Sequence, residues 1–267
     1  MKLATQDKPF FPDPFEEKLR TVQAMGFDAF EVDGKALLER FNEIRTAIRA
    51  TQVPISTACG GYRGWIGDFD PERRALAISD ISEMLKHAAE ISAQGMVVPA
   101  AWGMFSKRLP PMVPPRSEEE DRDVLLDSLG KLNRVAQETG TLLYLEPLNR
   151  YEDHMLNRLA DAVGLIRNGG FTHVKVLADF YHMNIEEASI EHSIREAGDC
   201  IGHIHLADNH RYQPGDGHID FVSGFRALKE IGYNGYLAFE CRVTGTPEPD
   251  VYRSSAAFVR RCIQQAG

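Results

Sequence analysis

The sequence predicts an α/β protein, a single (β/α)8 TIM barrel of eight parallel strands, on three observations. Short apolar runs alternate with amphipathic stretches along the whole chain, giving eight strand signals, the rhythm of parallel strands joined by right-handed helical crossovers. Spread over eight units, 267 residues is the usual length of a closed barrel. No G-x-G-x-x-G follows the first strand and no P-loop occurs, which removes the usual nucleotide tenants of the rival open sheet. One domain is therefore expected to span residues 1–267.

Each element has its own signal. Leu3–Thr5 opens the series, followed by a helical pattern over 14–26 and a second strand over Ala29–Gly34. Apolar residues then recur at helical spacing over 36–52. Val53–Gly61 reads as the third strand, and 70–92 as a helix with Pro71 in its first turn. Gly95–Gly103 is the fourth strand; the helix over 118–140 has an acidic first turn and a closing glycine. Strands five to eight fall at Thr141–Asn149, His173–His182, Ile201–Asn209 and Gly235–Arg242, with helical patterns over 159–170, 190–199, 221–234 and 251–267. Met104–Glu120 is proline-rich and too long for a plain connection, so it is expected to loop over the site.

Hydrophobic residues make up 43% of the chain and charged residues 26%, with a net charge of -9. That composition suits a soluble globular protein. The negative balance argues against nucleic-acid and membrane-surface partners, both of which are anionic. Cys59, Cys200, Cys241 and Cys262 are scattered, with neither a disulfide framework nor a zinc-knuckle spacing. The N-terminus is too polar and proline-broken for a signal peptide. A cytoplasmic location is expected.

The chemistry gathers where the strands end. In a barrel, active sites sit at the C-terminal strand ends. The fifth strand ends LYLEP at Glu146, the sixth VLADF at Asp179, and the eighth LAFEC at Glu240. The seventh, HIHLAD, carries His203 and His205 on one face. A lone acid at a strand end is usually a helix cap or a surface residue, and a lone buried histidine is usually a hydrogen-bonded core residue. Four coincidences on successive strands would instead put three carboxylates and an imidazole into one small mouth. Unpaired buried charges of that kind are costly. Converging carboxylates call for a cation, and three oxygen donors with one nitrogen and no thiolate suit Mn²⁺, Mg²⁺ or Co²⁺ better than structural zinc. Two carboxylates facing each other across a metal also provide for proton abstraction and return.

The segments LEPLNRYE (Leu145–Glu152), ADFYHMNIEE (Ala178–Glu187), GHIHLADNHR (Gly202–Arg211) and AFECR (Ala238–Arg242) resemble the xylose-isomerase-like sugar isomerase/epimerase superfamily. The resemblance is closest to the D-tagatose 3-epimerase and D-psicose 3-epimerase group. It implies a metal held by Glu146, Asp179, His205 and Glu240, with manganese as the ion and magnesium or cobalt as alternatives. It also implies substrate contacts from Glu152, His182 and Arg211. The implied reaction is ketose 3-epimerisation of a free sugar through a cis-enediolate, with Glu146 and Glu240 as the acid/base pair. If the proton returns to the adjacent carbon, the outcome is aldose–ketose isomerisation of the hydroxypyruvate isomerase type; if a β-hydroxyl leaves, it is dehydration of the inosose dehydratase type. The stretch Ala207–Phe221 is similar to those last two branches, and LATQDKPFF and GGYRGWIGDFD depart from the epimerase pattern. The partner implied is a small sugar or polyhydroxy ketone, and the assembly implied is a homodimer or homotetramer.

Other residues have two readings each. Trp102 and Trp65 stack on a sugar face or simply pack; Trp102 is taken as substrate-binding. Glu31, ending the second strand, lines the mouth or caps the next helix, and the cap is preferred. Cys59 and Cys241 are expected to pack, because no partner base is evident. Asp208 is expected to orient His205 or Arg211, His210 to face solvent, and the run EEEDRD to be a solvated helix turn. Endonuclease IV-like phosphodiester chemistry needs extra histidines from the early strands, which end here in Glu31 and Cys59.

Overall fold

A computed structural model describes residues 1–106 and 113–267. Eight strands, β1 (Lys2–Thr5), β2 (Ala29–Asp33), β3 (Ile55–Cys59), β4 (Gly95–Pro99), β5 (Leu142–Glu146), β6 (Val174–Asp179), β7 (Ile201–Leu206) and β8 (Tyr236–Phe239), close into a ring in chain order. Every neighbouring pair is parallel, β8 with β1 included. Around them lie α1 (Phe15–Ala24), α2 (Gly34–Glu39), α3 (Phe41–Thr51), α4 (Pro71–Glu90), α5 (Glu118–Thr139), α6 (Leu159–Gly169), α7 (Phe180–Glu186), α8 (Ile190–Ala197), α9 (Phe221–Glu230) and α10 (Glu248–Gln265). No helix among the described residues is long and apolar enough to cross a membrane.

Alternation along the strands sorts the residues into two shells. One face of each strand packs on the helices in a large apolar core that includes Leu3, Phe30, Met96, Val98, Leu143, Leu145, Val176, Ile204, Leu237 and Phe239. The other face fills the barrel. Ala4, Ala29, Ala238 and Tyr236 form one interior cluster, and Val97, Tyr144 and Leu177 another. One step further along the same faces come Glu31, Glu146, Asp179 and His205, all buried, with Glu240 just past β8. The apolar layers below thus force the polar residues together at one end.

Local signals set most boundaries. Asp70 caps α4 ahead of Pro71, Ser117 and Glu120 form a capping box at α5, and Gly140 ends α5 with a left-handed φ of 70°. Three expectations change. The helical pattern over 36–52 is broken at Arg40, whose guanidinium is held by Glu43 and Asp13. The sixth strand stops at Asp179 rather than His182, because Asp179 Oδ1 accepts from Tyr181 N at 2.7 Å and starts α7. The acidic turn of α5 is only partly solvated: Asp121 is buried between Arg116 Nε at 2.8 Å and His154 Nε2 at 3.0 Å. Part of the loop expected over the site, 107–112, lies outside the described residues.

Candidate metal and active site

Glu146, Asp179, His205 and Glu240 meet at the C-terminal mouth, each offering one atom within 4.8 Å of all the others. The register explains it: Asp179 pairs with His205, and His205 with Ala238, so Glu240 lies one inward step beyond. Asp179 is doubly committed, with Oδ1 capping α7 and Oδ2 left facing the cluster.

The donors fit a divalent cation on their own geometry. Glu146 Oε1 and His205 Nδ1 are buried atoms without a hydrogen bond among the described residues. They lie 3.6 Å apart, and Glu240 Oε2 is 2.8 Å from His205 Nδ1 without lining up with its N–H direction. Arg211 bridges Asp179 Oδ2 and Glu240 Oε2 with its two terminal nitrogens, and lies 4.7 Å over the Tyr181 ring. Burial together with the Glu240 charge pushes the Glu146 carboxyl up to about 7. Burial acts the same way on Glu240, but the Arg211 guanidinium and His205 hold it well below the usual carboxylate range.

Glu31 is the residue that local reading misplaced. It caps nothing; Asp33 caps α2, accepting from Ala36 N at 3.0 Å. Glu31 is buried inside the barrel, where Oε2 accepts from Thr57 Oγ1 and His203 Nε2 (2.8 Å) and Oε1 accepts from Gln6 Nε2 (2.9 Å). Oε1 is also 2.8 Å from His205 Nε2, off the line of that N–H. Burial opposes its charge, yet His205 and the bond from His203 hold Glu31 well below the ordinary value. His203 is thus the buffer between Glu31 and the Tyr144 ring, and His205 alone reaches the cluster.

The neighbouring polar residues form one chain. His182, in the first turn of α7, is buried, and its Nδ1 accepts from Asn149 N (3.1 Å) and Asn149 Nδ2 (2.8 Å). That leaves the hydrogen on Nε2, 3.9 Å from Glu146 Oε1 and 3.8 Å from Asp179 Oδ2. Asn149 also bonds Glu152 Oε1 at 2.8 Å, and Glu152 Oε2 accepts from Trp102 Nε1 at 2.9 Å. Trp102 stays 55% exposed, and Trp65 stands 6.5 Å away, ring to ring. Asn149 is a link the sequence reading passed over. Asp208 does not orient the side chain of His205 or Arg211; it braces its own loop, accepting from the backbone of Asn209, Gly215 and Ile219. Burial pushes the Cys59 and Cys241 thiols up, Cys241 to about 11, so both are packing groups.

Comparison with known proteins places this arrangement. The model of the xylose isomerase-like TIM barrel matches residues 19–262. The chain belongs to that family. It is 50% identical over 262 residues to the 3-dehydro-D-guloside 4-epimerase of Escherichia coli (strain K12), covering 98% of this chain and 100% of that one. It is 28% identical over 240 residues to a D-psicose 3-epimerase of Enterocloster bolteae, covering 87% and 78%. The crystal structure of a 3-keto-D-glucoside 4-epimerase from E. coli, apo form, superposes with a TM-score of 0.96 at 50% identity over 98% of this chain and 100% of that one. These members of the xylose isomerase-like family are carbohydrate epimerases by name.

Proposed function

We propose that the protein is a divalent-metal-dependent sugar epimerase that inverts the carbon beside a ketone, acting on a 3-keto-glycoside at C4. The ketone and the neighbouring stereocentre are the same chemical unit as in the ketose 3-epimerisation expected from sequence. Full-length likeness to a 4-epimerase at 50% identity favours the glycoside. The observation behind the chemistry is the convergence of four donors from four successive strand ends, with buried Glu146 Oε1 lacking a hydrogen bond among the described residues.

In this reading Glu146, Asp179, His205 and Glu240 hold the cation, with manganese first among the candidates. When bound, a divalent ion stabilises negative charge on the ketone oxygen. One of Glu146 and Glu240 takes the C4 proton, and the electron pair passes into an enediolate. The other gives a proton to the opposite face of C4, which inverts the centre. His182 donates its Nε2 hydrogen to a substrate oxygen, and Arg211 adds positive charge where the enediolate forms. Glu152 accepts a hydroxyl, with Trp102 flanking it. Burial of Glu146, Asp179, His182 and His205 excludes water, which strengthens each of these contacts.

The test is proton exchange in D2O with Mn²⁺, comparing methyl 3-keto-glycosides with ketohexoses and ketopentoses. Deuterium is expected at C4 of the keto-glycoside, with exchange abolished by exhaustive chelation and restored by Mn²⁺. Glu146→Gln and Glu240→Gln should each lower turnover by roughly 10²–10⁴-fold. A higher kcat/KM for exchange at C3 of a free ketose would return the substrate to the ketose class. Full activity after chelation would end the metal reading.

A further inference from the structure

Lys8, just past β1, is only 6% exposed. It stands on the side of the mouth where β1 meets β8, since Thr5 pairs with Phe239 and Gln6 N donates to Phe239 O. Its Nζ lies 5.5 Å over the Tyr252 ring, and Tyr252 is itself fixed by a hydrogen bond with Thr5 Oγ1. Among the described residues, no carboxylate is ion-paired with Lys8 and nothing accepts a hydrogen bond from Nζ.

Its surroundings make that absence informative. The nearby Asp7 carboxylate is spent on Lys18 and on the Lys8 backbone N–H. Gln6 is spent on Glu31, and Arg211 on Asp179 and Glu240. The β1–β8 register runs the chain after Thr5 alongside Glu240, which puts Lys8 at the mouth, and burial lowers the Lys8 pKa against the offsetting pull of Cys241 and Glu240. The stem is buried against Tyr252, while Nζ has no protein acceptor among the described residues, so its donors stay available to what enters the mouth. The three N–H donors of Lys8 suit a partner that arrives with the ligand.

We propose that Lys8 is a substrate-binding residue whose ammonium donates to an uncharged oxygen of the sugar, remote from the ketone. This rests on the reading that a keto-sugar sits at the four-residue cluster. The cluster and its companions Glu152, His182 and Arg211 come from the β5–β8 side, and β1 adjoins β8, so a ring anchored there and reaching across that seam would meet Lys8. An uncharged oxygen fits better than a phosphate, because the Glu240 carboxylate follows the strand paired with β1 and Arg211 is already engaged by two carboxylates. Lys8 would therefore sort sugars by the hydroxyl or acetal oxygen they present on that side.

The experiment compares wild-type, Lys8→Met and Lys8→Gln, all loaded with Mn²⁺. KM and kcat on a methyl 3-keto-glycoside, Mn²⁺ affinity and Tm are measured for each. For Lys8→Met, KM should rise about 10- to 100-fold, as for loss of a hydrogen bond from a charged donor, while kcat falls less and Mn²⁺ affinity holds. Lys8→Gln, which keeps a donor, should fall between. Among monodeoxy glycosides, one should bind wild-type about as poorly as the parent binds Lys8→Met, and that one should lose nothing further in Lys8→Met. Unchanged KM with a raised Tm would overturn the proposal and leave Lys8 a packing residue. A phosphosugar preferred by wild-type and rejected by Lys8→Met would overturn the uncharged-oxygen assignment. If wild-type itself turns over no keto-sugar, the failure lies with the proposed function rather than with Lys8 alone.

Discussion

Replacing Glu31 by Gln probes the centre of the barrel while leaving all four converging residues in the sequence. The two carboxylate oxygens meet donors on both sides: Gln6 Nε2 and His205 Nε2 at Oε1, Thr57 Oγ1 and His203 Nε2 at Oε2. An amide must turn its NH2 toward one of those pairs. Turned to the Oε2 side, the NH2 leaves the His203 N–H without an acceptor, though Thr57 can rotate its hydroxyl away; turned to the Oε1 side, it takes the acceptor from Gln6 Nε2 and faces His205 Nε2. A buried donor abandoned in this way costs about 1–3 kcal/mol. The electrostatic loss is larger on paper: unit charges 2.8 Å apart interact by about 6 kcal/mol at an effective dielectric of 20. That applies to an imidazolium, however. A ring that gives Nδ1 to a cation is neutral and feels only the polarising effect of the carboxylate, which is worth roughly 10- to 100-fold in metal affinity. Titrating apo-protein with Mn²⁺ against a competing chelator, alongside thermal unfolding of the apo form, separates the two effects. Both a lower Tm and a weakened Kd are expected. A variant that loses Tm but binds Mn²⁺ within twofold of wild-type would show that Glu31 supports the fold and not the ion.

Three further outcomes follow from named contacts. Burial pushes the Asp153 carboxyl up to about 7, well above the ordinary aspartate range, so the unfolded chain gives up this proton first. Native stability therefore drains away as pH rises from about 4 to 7, and Asp153→Asn should raise Tm at pH 8 with the gain shrinking toward pH 4. Denaturation of both proteins across that range checks the sign. Trp102→Phe keeps a ring but removes the 2.9 Å bond to Glu152; KM should rise about two- to tenfold with kcat nearly unchanged, read by steady-state kinetics. A Cβ at Gly95 would stand 1.8 Å from the Leu142 carbonyl, at the first rung of the β4–β5 ladder. Gly95→Ala should cost more than about 4 kcal/mol and reduce soluble yield, measured by expression and denaturant melts.

Glu146, Asp179 and Glu240 were legible because each stands where an apolar strand run ends, and the barrel makes strand ends meet. Choosing His205 over His203 was beyond spacing alone: both point inward, and only depth along the axis separates the one touching Tyr144 from the one touching Glu240. Glu31 was misread because its partner His203 is 172 residues away, so nothing local distinguishes a core carboxylate from a cap. Asp121 hid inside an acidic run for the same reason, its partner His154 lying 33 residues on. The early end of β6 was a contest between an aromatic-rich strand signal and an aspartate able to cap a helix. The cap won because Phe180 can then pack in parallel on Phe221, 5.8 Å away.

Arg211 holds a left-handed backbone, φ 66°, pinned by its own N–H to Asp208 O and by Arg242 N to its carbonyl. Glycine or asparagine would adopt that conformation with less strain, and the saving is on the order of 1 kcal/mol. Selection for heat tolerance and selection for turnover should thus pull this position apart. Libraries screened for residual solubility after heating would drift toward the small residue, while those screened for catalysis would keep the guanidinium and tolerate the strained loop.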